Sequence, residues 1–183
     1  LKLLRIDTNA ARAVTEEEIT ASLEEGVDAG VIEQHEHQMV QNVFRLDERP
    51  LTSLMTPRTD VAWLDADCSV GESLAQAGAQ GENGGHSWYP VCRGGLDEVV
   101  GVVKLSDLLA LSHADANAAP VQEKRVADCT LPAVFVPESL SGMELLEQFR
   151  ERSTRILLVV DEYGVVQGMM TPLDMLEAIT GEL

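Results

Sequence analysis

Aromatic residues are scarce in this 183-residue chain, at 4%, and cations are nearly as scarce: 13 Lys and Arg stand against 31 Asp and Glu, for a net charge of −18. So few basic residues argue against nucleic acid as a partner, because a phosphate backbone needs a basic face. Cysteine is limited to Cys68, Cys92 and Cys129, an odd number with no C-x-x-C. That argues against a disulfide framework or a zinc site and suits a reducing compartment. No apolar run approaches the ~18 residues of a membrane span, and no signal-peptide pattern is present. Enzyme signatures are missing as well: there is no G-x-x-x-x-G-K-[ST], no G-x-S-x-G, and no Cys–His pair at a known spacing. His86 and Ser87 are adjacent, and neighbours on a strand point to opposite faces, so they do not form a dyad. The chain starts at Leu1 and stops at Leu183 within a helical pattern, and it reads as a piece of a longer protein.

What is present is aliphatic. Hydrophobic residues make up 45% of the chain, mostly Val, Leu and Ala, which suits alternating strands and helices in one or two domains. Residues 1–13 carry no pattern. Residues 15–48 read as two short acidic helices. "VTEEEITASLEEG" opens with a capping box, Thr15 and Glu18, and its glutamates suit the positive end of a helix. Gly26 and Gly30 are expected to break or bend this segment. "VIEQHEHQMVQNVFRLDERP" follows, with Ile32, Met39, Val40 and Val43 on one helical face and Pro50 as its end. Within "EQHEHQ", Glu33 and His37 share a face while His35 and His37 do not. The spacing is not H-E-x-x-H, and a solvated acidic helix is the reading preferred over a metal site.

The remainder contains an internal repeat. One copy runs from "LMTPRTDVAWLDADCSVGESLAQA" through "HSWYPVC" to "VVGVVKLSDLLALS", and the other from "DCTLPAVFVPESLSGMELLEQF" through "RILLVVD" to "VVQGMMTPLDMLEAIT". Gly101 matches Gly168 and Asp107 matches Asp174, each aspartate six residues after its glycine. The order of elements is β-α-β-β-α in each copy, an α/β unit made twice. The divisions are an acidic helical connector over 1–50, a first repeat over 51–114 and a second over 115–183.

This doubled unit resembles a CBS-domain pair, or Bateman module. "LMTPRTDV", "HSWYPV", "LVVDEYG" and "MMTPLDMLEAITGEL" narrow the resemblance to the hemolysin-like, CorC/CNNM-type family of magnesium and cobalt transport proteins, and the acidic lead-in looks like that family's connector. The likeness covers roughly residues 14–183. It departs from the family pattern at Trp88, Tyr89, Val165, Pro172 and Leu173. The resemblance implies two tandem CBS repeats packed as a pseudo-twofold pair, a homodimer, and an adenine nucleotide (ATP, with or without Mg²⁺, or AMP) in the cleft between repeats. It also implies a parent with a transmembrane domain absent here, which places this soluble pair at the cytoplasmic face of the membrane.

Chemistry points to "TPLD". A ribose diol suits one carboxylate, and phosphates suit backbone N–H groups at a helix start. Thr171 would offer its hydroxyl near the phosphate, Pro172 would open the helix, and Asp174 would accept from the ribose. The same three residues also make a sound helix start without any ligand. The first copy has "VKLSD", with Lys104 in place of Thr171 and Asp107 in place of Asp174, so the two pockets are expected to be unequal. Lys104 would pair with a phosphate or point to solvent. Asp107 would contact ligand or serve as a surface or capping carboxylate. The resemblance sets "MTPRTD" at the cleft rim, where Thr56 would touch nucleotide and Arg58 would reach phosphate or form a salt bridge. His86, Ser87 and Tyr89 would line the base or phosphate path and Trp88 would stack on adenine, although one of Trp88 and Tyr89 should be core or interface by strand alternation. Arg155 opens the matching strand of the second copy and would also reach phosphate. Two alternatives remain open: a dimerisation module with an empty cleft, and a divalent-cation sensor using the acidic surface around Glu16–Glu18.

Overall fold

The computed structural model describes residues 15–80, 87–115 and 124–181. Helix α1 (Glu16–Asp28) opens at Thr15, whose hydroxyl accepts the Glu18 N–H at 3.3 Å, and Glu16, Glu17 and Glu18 fill its first turn. The helix dipole favours negative charge there. Gly26 does not break this helix, contrary to expectation. It lies inside α1, where a Cβ would stand 2.6 Å from Ile32 Cδ1, so the missing side chain lets the chain fold back on itself. The reversal falls at Gly30, with φ +70°, a conformation that suits glycine. Helix α2 (Gln34–Arg45) starts at Glu33, which forms a reciprocal capping box with Glu36.

The strands and helices that follow are β1 (Thr56–Pro57), β2 (Leu64–Asp65), α3 (Val70–Gln80), β3 (Trp88–Cys92), β4 (Val99–Lys104) and α4 (Leu105–Asp115), then β5 (Phe135–Pro137), α5 (Gly142–Arg152), β6 (Leu157–Val160), β7 (Val166–Met170) and α6 (Pro172–Thr180). The expected β-α-β-β-α unit therefore occurs twice, as β2-α3-β3-β4-α4 and β5-α5-β6-β7-α6. Each begins with a parallel pair (β2 with β3, β5 with β6) joined through its helix, and each continues into an antiparallel hairpin. Gly101 opposes Val91 and Gly168 opposes Val159, so the hairpins share one register. Helices α3 and α5 start alike. The Ser69 N–H donates to Glu72 Oε2 at 2.9 Å, and the Ser141 N–H donates to Glu144 Oε2 at the same distance.

The two copies exchange chain. Strand β1 lies in the first repeat ahead of β2, yet it pairs antiparallel with β7 of the second, Thr56 opposite Met169. Leu131 lies in the second repeat ahead of β5 and bridges Val102 on β4 of the first, with Leu131 N–H donating to Val102 O at 2.8 Å and Val102 N–H donating back at 2.9 Å. This crossing explains the repeated glycine. A Cβ on Gly101 would lie 2.6 Å from Leu131 O and 2.7 Å from Thr130 Cβ, and one on Gly168 would run into Thr56 O and Met55 Sδ. Both positions need a side chain of no size because the partner repeat's backbone passes directly over them.

Three apolar clusters follow from this plan. One lies within the first copy, around Leu64, Tyr89, Val91, Val103 and Leu108. A second lies between the copies, where Val61, Cys92 and Val102 meet Ile156, Leu158 and Met169. Burial there pushes the Cys92 thiol up to about 12, which keeps it protonated and unreactive. The third lies within the second copy but includes Leu46 and Leu51, 1% and 0% exposed, beside Leu145, Phe149, Met170 and Met175. The end of the connector is therefore built into the second repeat rather than the first repeat it leads into. Gly142 N–H donates to Leu46 O at 3.1 Å, and a Cβ on Gly142 would come within 2.6 Å of Leu46 Cγ. Asn42 Nδ2 of α2 donates to Ile179 O of α6 at 2.9 Å. Burying a leucine such as Leu46 stabilises the docked arrangement by about 2 kcal/mol.

Candidate functional site

The α6 start is a tight reciprocal cap. Thr171 is extended (φ −122°, ψ 164°), its N–H and hydroxyl donate to Asp174 Oδ2 at 2.5 and 2.9 Å, and its Oγ1 accepts the Asp174 N–H at 3.4 Å. Pro172 occupies the first helical position, where a missing N–H costs nothing. The two bonds donated by Thr171 converge on one carboxylate oxygen. Asp174 Oδ1 has no hydrogen bond among the described residues and remains an acceptor for anything placed against it.

The Ser69–Glu72 and Ser141–Glu144 boxes have the same form, so capping by itself does not mark a ligand site. What sets Asp174 apart is its surroundings. It lines a hollow of about 400 Å³ together with Asn42, Arg49, Ser53, Leu54 and Glu177. That volume falls in the range of small-molecule sites. Its walls come from three parts of the chain: α6, the end of the connector, and the short helical turn Leu51–Ser53 that leads into β1.

The other sequence candidates collect in different places. Thr56 is half-buried on β1, opposite Met169, and so lies close to the α6 start. Arg155 is exposed two residues before Leu157, which pairs with Met170, at the same end of that sheet. Arg58 is already engaged. Its Nη1 donates to Val166 O at 2.9 Å and its Nη2 stands 2.9 Å from Asp97 Oδ1, which ties the β1 segment to the hairpins of both repeats. Of the two outcomes expected for it, the salt bridge is the one present here. A second group gathers at the α4 start. Ser87 is exposed and its carbonyl accepts the Leu105 N–H at 3.0 Å. Lys104 is exposed opposite Trp88, and Asp107 is exposed with its Oδ1 accepting from Ser106 Oγ at 3.2 Å. Tyr89, 1% exposed, lies in the first copy's core, while Trp88 is half-buried against the cluster between the copies. Strand alternation led to one core or interface aromatic of the two, and both pack inward, one into each cluster. His86 lies outside the described residues. Sequence reasoning missed Asn42, Arg49, Ser53 and Leu54, which belong to the connector and to the turn before β1. The available signal was an arginine directly before Pro50 at the end of an acidic helix, in a chain poor in cations.

The CBS-domain family profile matches residues 126–181. A UPF0053 protein of Synechocystis sp. is 37% identical over 183 residues, which is all of this chain and 39% of that protein. The chain thus spans about two-fifths of the length of that curated relative. Among solved structures, the CBS domain of the bacterial CNNM/CorC family Mg²⁺ transporter is similar with a TM-score of 0.79 and 31% identity, over 93% of this chain and 98% of that one. A structure of such a CBS domain in complex with ATP is similar with a TM-score of 0.69 and 30% identity, over 81% of this chain and 99% of that one.

Proposed function

This chain belongs to the CBS-domain modules of the bacterial CNNM/CorC family, and from that premise we propose that it is the adenine-nucleotide-binding regulatory module of a membrane magnesium or cobalt transport or efflux protein. The connector over 1–50, the repeats over 51–114 and 115–183, the homodimer, and a parent transmembrane domain that holds the module at the cytoplasmic face are parts of the same proposal. One observation carries it: Asp174 completes its cap with a single oxygen, Oδ2, and is itself part of the wall of an open hollow. A ribose diol asks for a carboxylate acceptor of this kind, and the positive end of the α6 dipole suits phosphate. Thr56 and Arg155 lie at the same end of the second sheet and belong to the proposed nucleotide surface. Ser87, Lys104 and Asp107 would form a lesser one at the α4 start. The likeness to an ATP complex at 30% identity supports a nucleotide of the same class. Ligand would shift the packing of the module only by its differential affinity for the two arrangements.

Calorimetric titration of the chain with ATP, ADP and AMP, each with and without Mg²⁺, tests this. A Kd below about 1 mM is expected for at least one of them, and Asp174→Ala should weaken it by at least about tenfold. Absence of binding at millimolar nucleotide would overturn the reading. So would Asp174→Ala if it lowered the melting temperature and left affinity unchanged, since the carboxylate would then only cap.

A second reading, a dimerisation module that needs no ligand, is favoured by apolar residues left open on the two closing helices. Leu109 on α4 is 45% exposed, and Leu173 and Leu176 on α6 are 55% and 48% exposed. The cation-sensor alternative has less support: among the described residues no three His, Cys, Asp or Glu side chains converge on a point.

A further inference from the structure

We propose that Arg49 is the phosphate-recognising residue of the Asp174 hollow, so that the ligand is held jointly by the second repeat and by the connector. This rests on the nucleotide reading above and adds to it a residue and a specificity. The reasoning begins with charge. The chain carries −18 overall, and the hollow brings two carboxylates of its own, Asp174 and Glu177. A nucleotide adds phosphate charge to that pair, and like charges brought together at short range repel unless a cation intervenes. Arg58 is committed to Asp97 and to the Val166 carbonyl. Lys104 stands at the start of the other repeat's helix, and Arg155 lies at a strand end; neither lines the hollow. Arg49 does line it, and its guanidinium forms no ion pair among the described residues.

The position of Arg49 is fixed even though its side chain is exposed. Its own N–H donates to Arg45 O at 3.1 Å. Leu46 on one side and Leu51 on the other are sunk in the second repeat's core. Asn42, one turn further back, is bonded to the Ile179 carbonyl of α6. The backbone that carries the guanidinium is therefore held against α6 before any ligand arrives, and a group held in place loses less entropy on binding. A guanidinium also matches a phosphate with paired, charge-assisted hydrogen bonds, which a lysine supplies only as a point charge. Arg49 and Asp174 line one hollow from different parts of the chain, so a ligand that touches both bridges the connector to α6.

The test is a ladder of ligands that differ only in phosphate: adenosine, AMP, ADP and ATP, titrated against the full 183-residue chain and against Arg49→Gln, Arg49→Lys and Asp174→Asn. Arg49→Gln is expected to weaken ATP by roughly 10- to 100-fold, to weaken AMP less, and to leave adenosine unchanged. Arg49→Lys should recover part of the ATP affinity, and Asp174→Asn should weaken every member of the ladder. Because the guanidinium makes no ion pair among the described residues, Arg49→Gln should melt with the unchanged chain. If Arg49→Gln leaves ATP affinity intact, or weakens adenosine and ATP equally, the role given to Arg49 is wrong while the nucleotide reading stands. If the unchanged chain binds no member of the ladder, both fall.

Discussion

Lys104–Asp107 and Thr171–Asp174 occupy one place in the two repeats, three and six residues after a glycine, and their contacts differ almost throughout. At the second, threonine and aspartate lock into a reciprocal cap, half-buried, beside a hollow walled by the connector. At the first, Lys104 offers no oxygen, Asp107 takes only the neighbouring Ser106 hydroxyl, and both residues are exposed. The glycines show no such difference: each is crossed by the other repeat's chain at a distance that allows no Cβ. The pair is therefore symmetric where the repeats hold one another and asymmetric where they meet the connector. The scaffold demands the glycine twice. The repeat that receives α2 has the hollow beside its aspartate walled by the connector. The fixed spacing from glycine to aspartate consequently combines a strand crossing at the glycine with, in the second copy, a reciprocal cap at the aspartate.

The symmetric half of this comparison carries the largest expected effect. Gly101→Ala and Gly168→Ala should each destabilise the chain by about 1–3 kcal/mol, the range of overpacked cores, measured by urea unfolding. The obstruction is a backbone carbonyl in both cases, Leu131 O and Thr56 O, and a carbonyl held in a strand crossing cannot rotate away. Two similar losses would confirm that the crossings are equivalent. A loss at one glycine alone would break the pseudo-twofold account.

The asymmetric half predicts a smaller effect. Thr171→Ala removes a side-chain cap and should cost about 1 kcal/mol, whereas Lys104→Ala should stay within about 0.5 kcal/mol. Lys104→Thr sharpens the comparison, because it would recreate T-x-x-D ahead of α4 and should stabilise by up to about 1 kcal/mol if the backbone at residue 104 accepts the cap. A neutral or unfavourable Lys104→Thr would mean that the two helix starts differ in backbone geometry as well as in side chain.

Much of this was legible in the sequence because local chemistry fixed it. The T-x-x-D start of α6 and the repeated element order follow from short-range patterns, and each appears where its spacing put it. What was not legible depended on contacts distant in sequence. Nothing near residue 26 tells whether a glycine breaks a helix or admits Ile32 against it. Nothing near Leu46 tells that this leucine belongs to the core of a repeat starting some seventy residues later rather than to its own neighbour. Arg58 read equally well as a phosphate contact and as a salt bridge, since its partners, Val166 and Asp97, lie far along the chain. Arg49 gives no local signal for the same reason: Asp174 and Glu177, which line the hollow with it, lie far along the chain.

The smallest expected effect separates the two hairpin turns. The first is clasped by Arg93 Nη1 on Glu98 Oε1 at 3.0 Å, an exposed ion pair. The second is organised around Asp161, whose carboxylate accepts the Val165 N–H at 2.9 Å, the Tyr163 N–H at 3.0 Å and the Gln167 side chain at 2.7 Å. The Val165 amide above all, then Tyr163 and Gln167, hold the Asp161 carboxyl below its ordinary value of 3.8. A carboxyl lowered in the folded state adds stability that is complete above the unfolded value and is lost as pH falls through the folded one. The turn at 161–165 should therefore keep its hydrogen bonds down to pH 3.8 and release them only below it. Amide NMR shifts of Tyr163 and Val165, followed from pH 6 to pH 2, should move together with a midpoint under 3.8, and Asp161→Asn should remove that step. A midpoint at or above 3.8 would show that the three donors do not favour the ionised form. High salt should loosen the Arg93–Glu98 clasp, because exposed ion pairs are screened, and should leave the Tyr163 and Val165 amides in place. If both turns responded alike to salt, the second would be held by long-range charge rather than by the hydrogen bonds at Asp161.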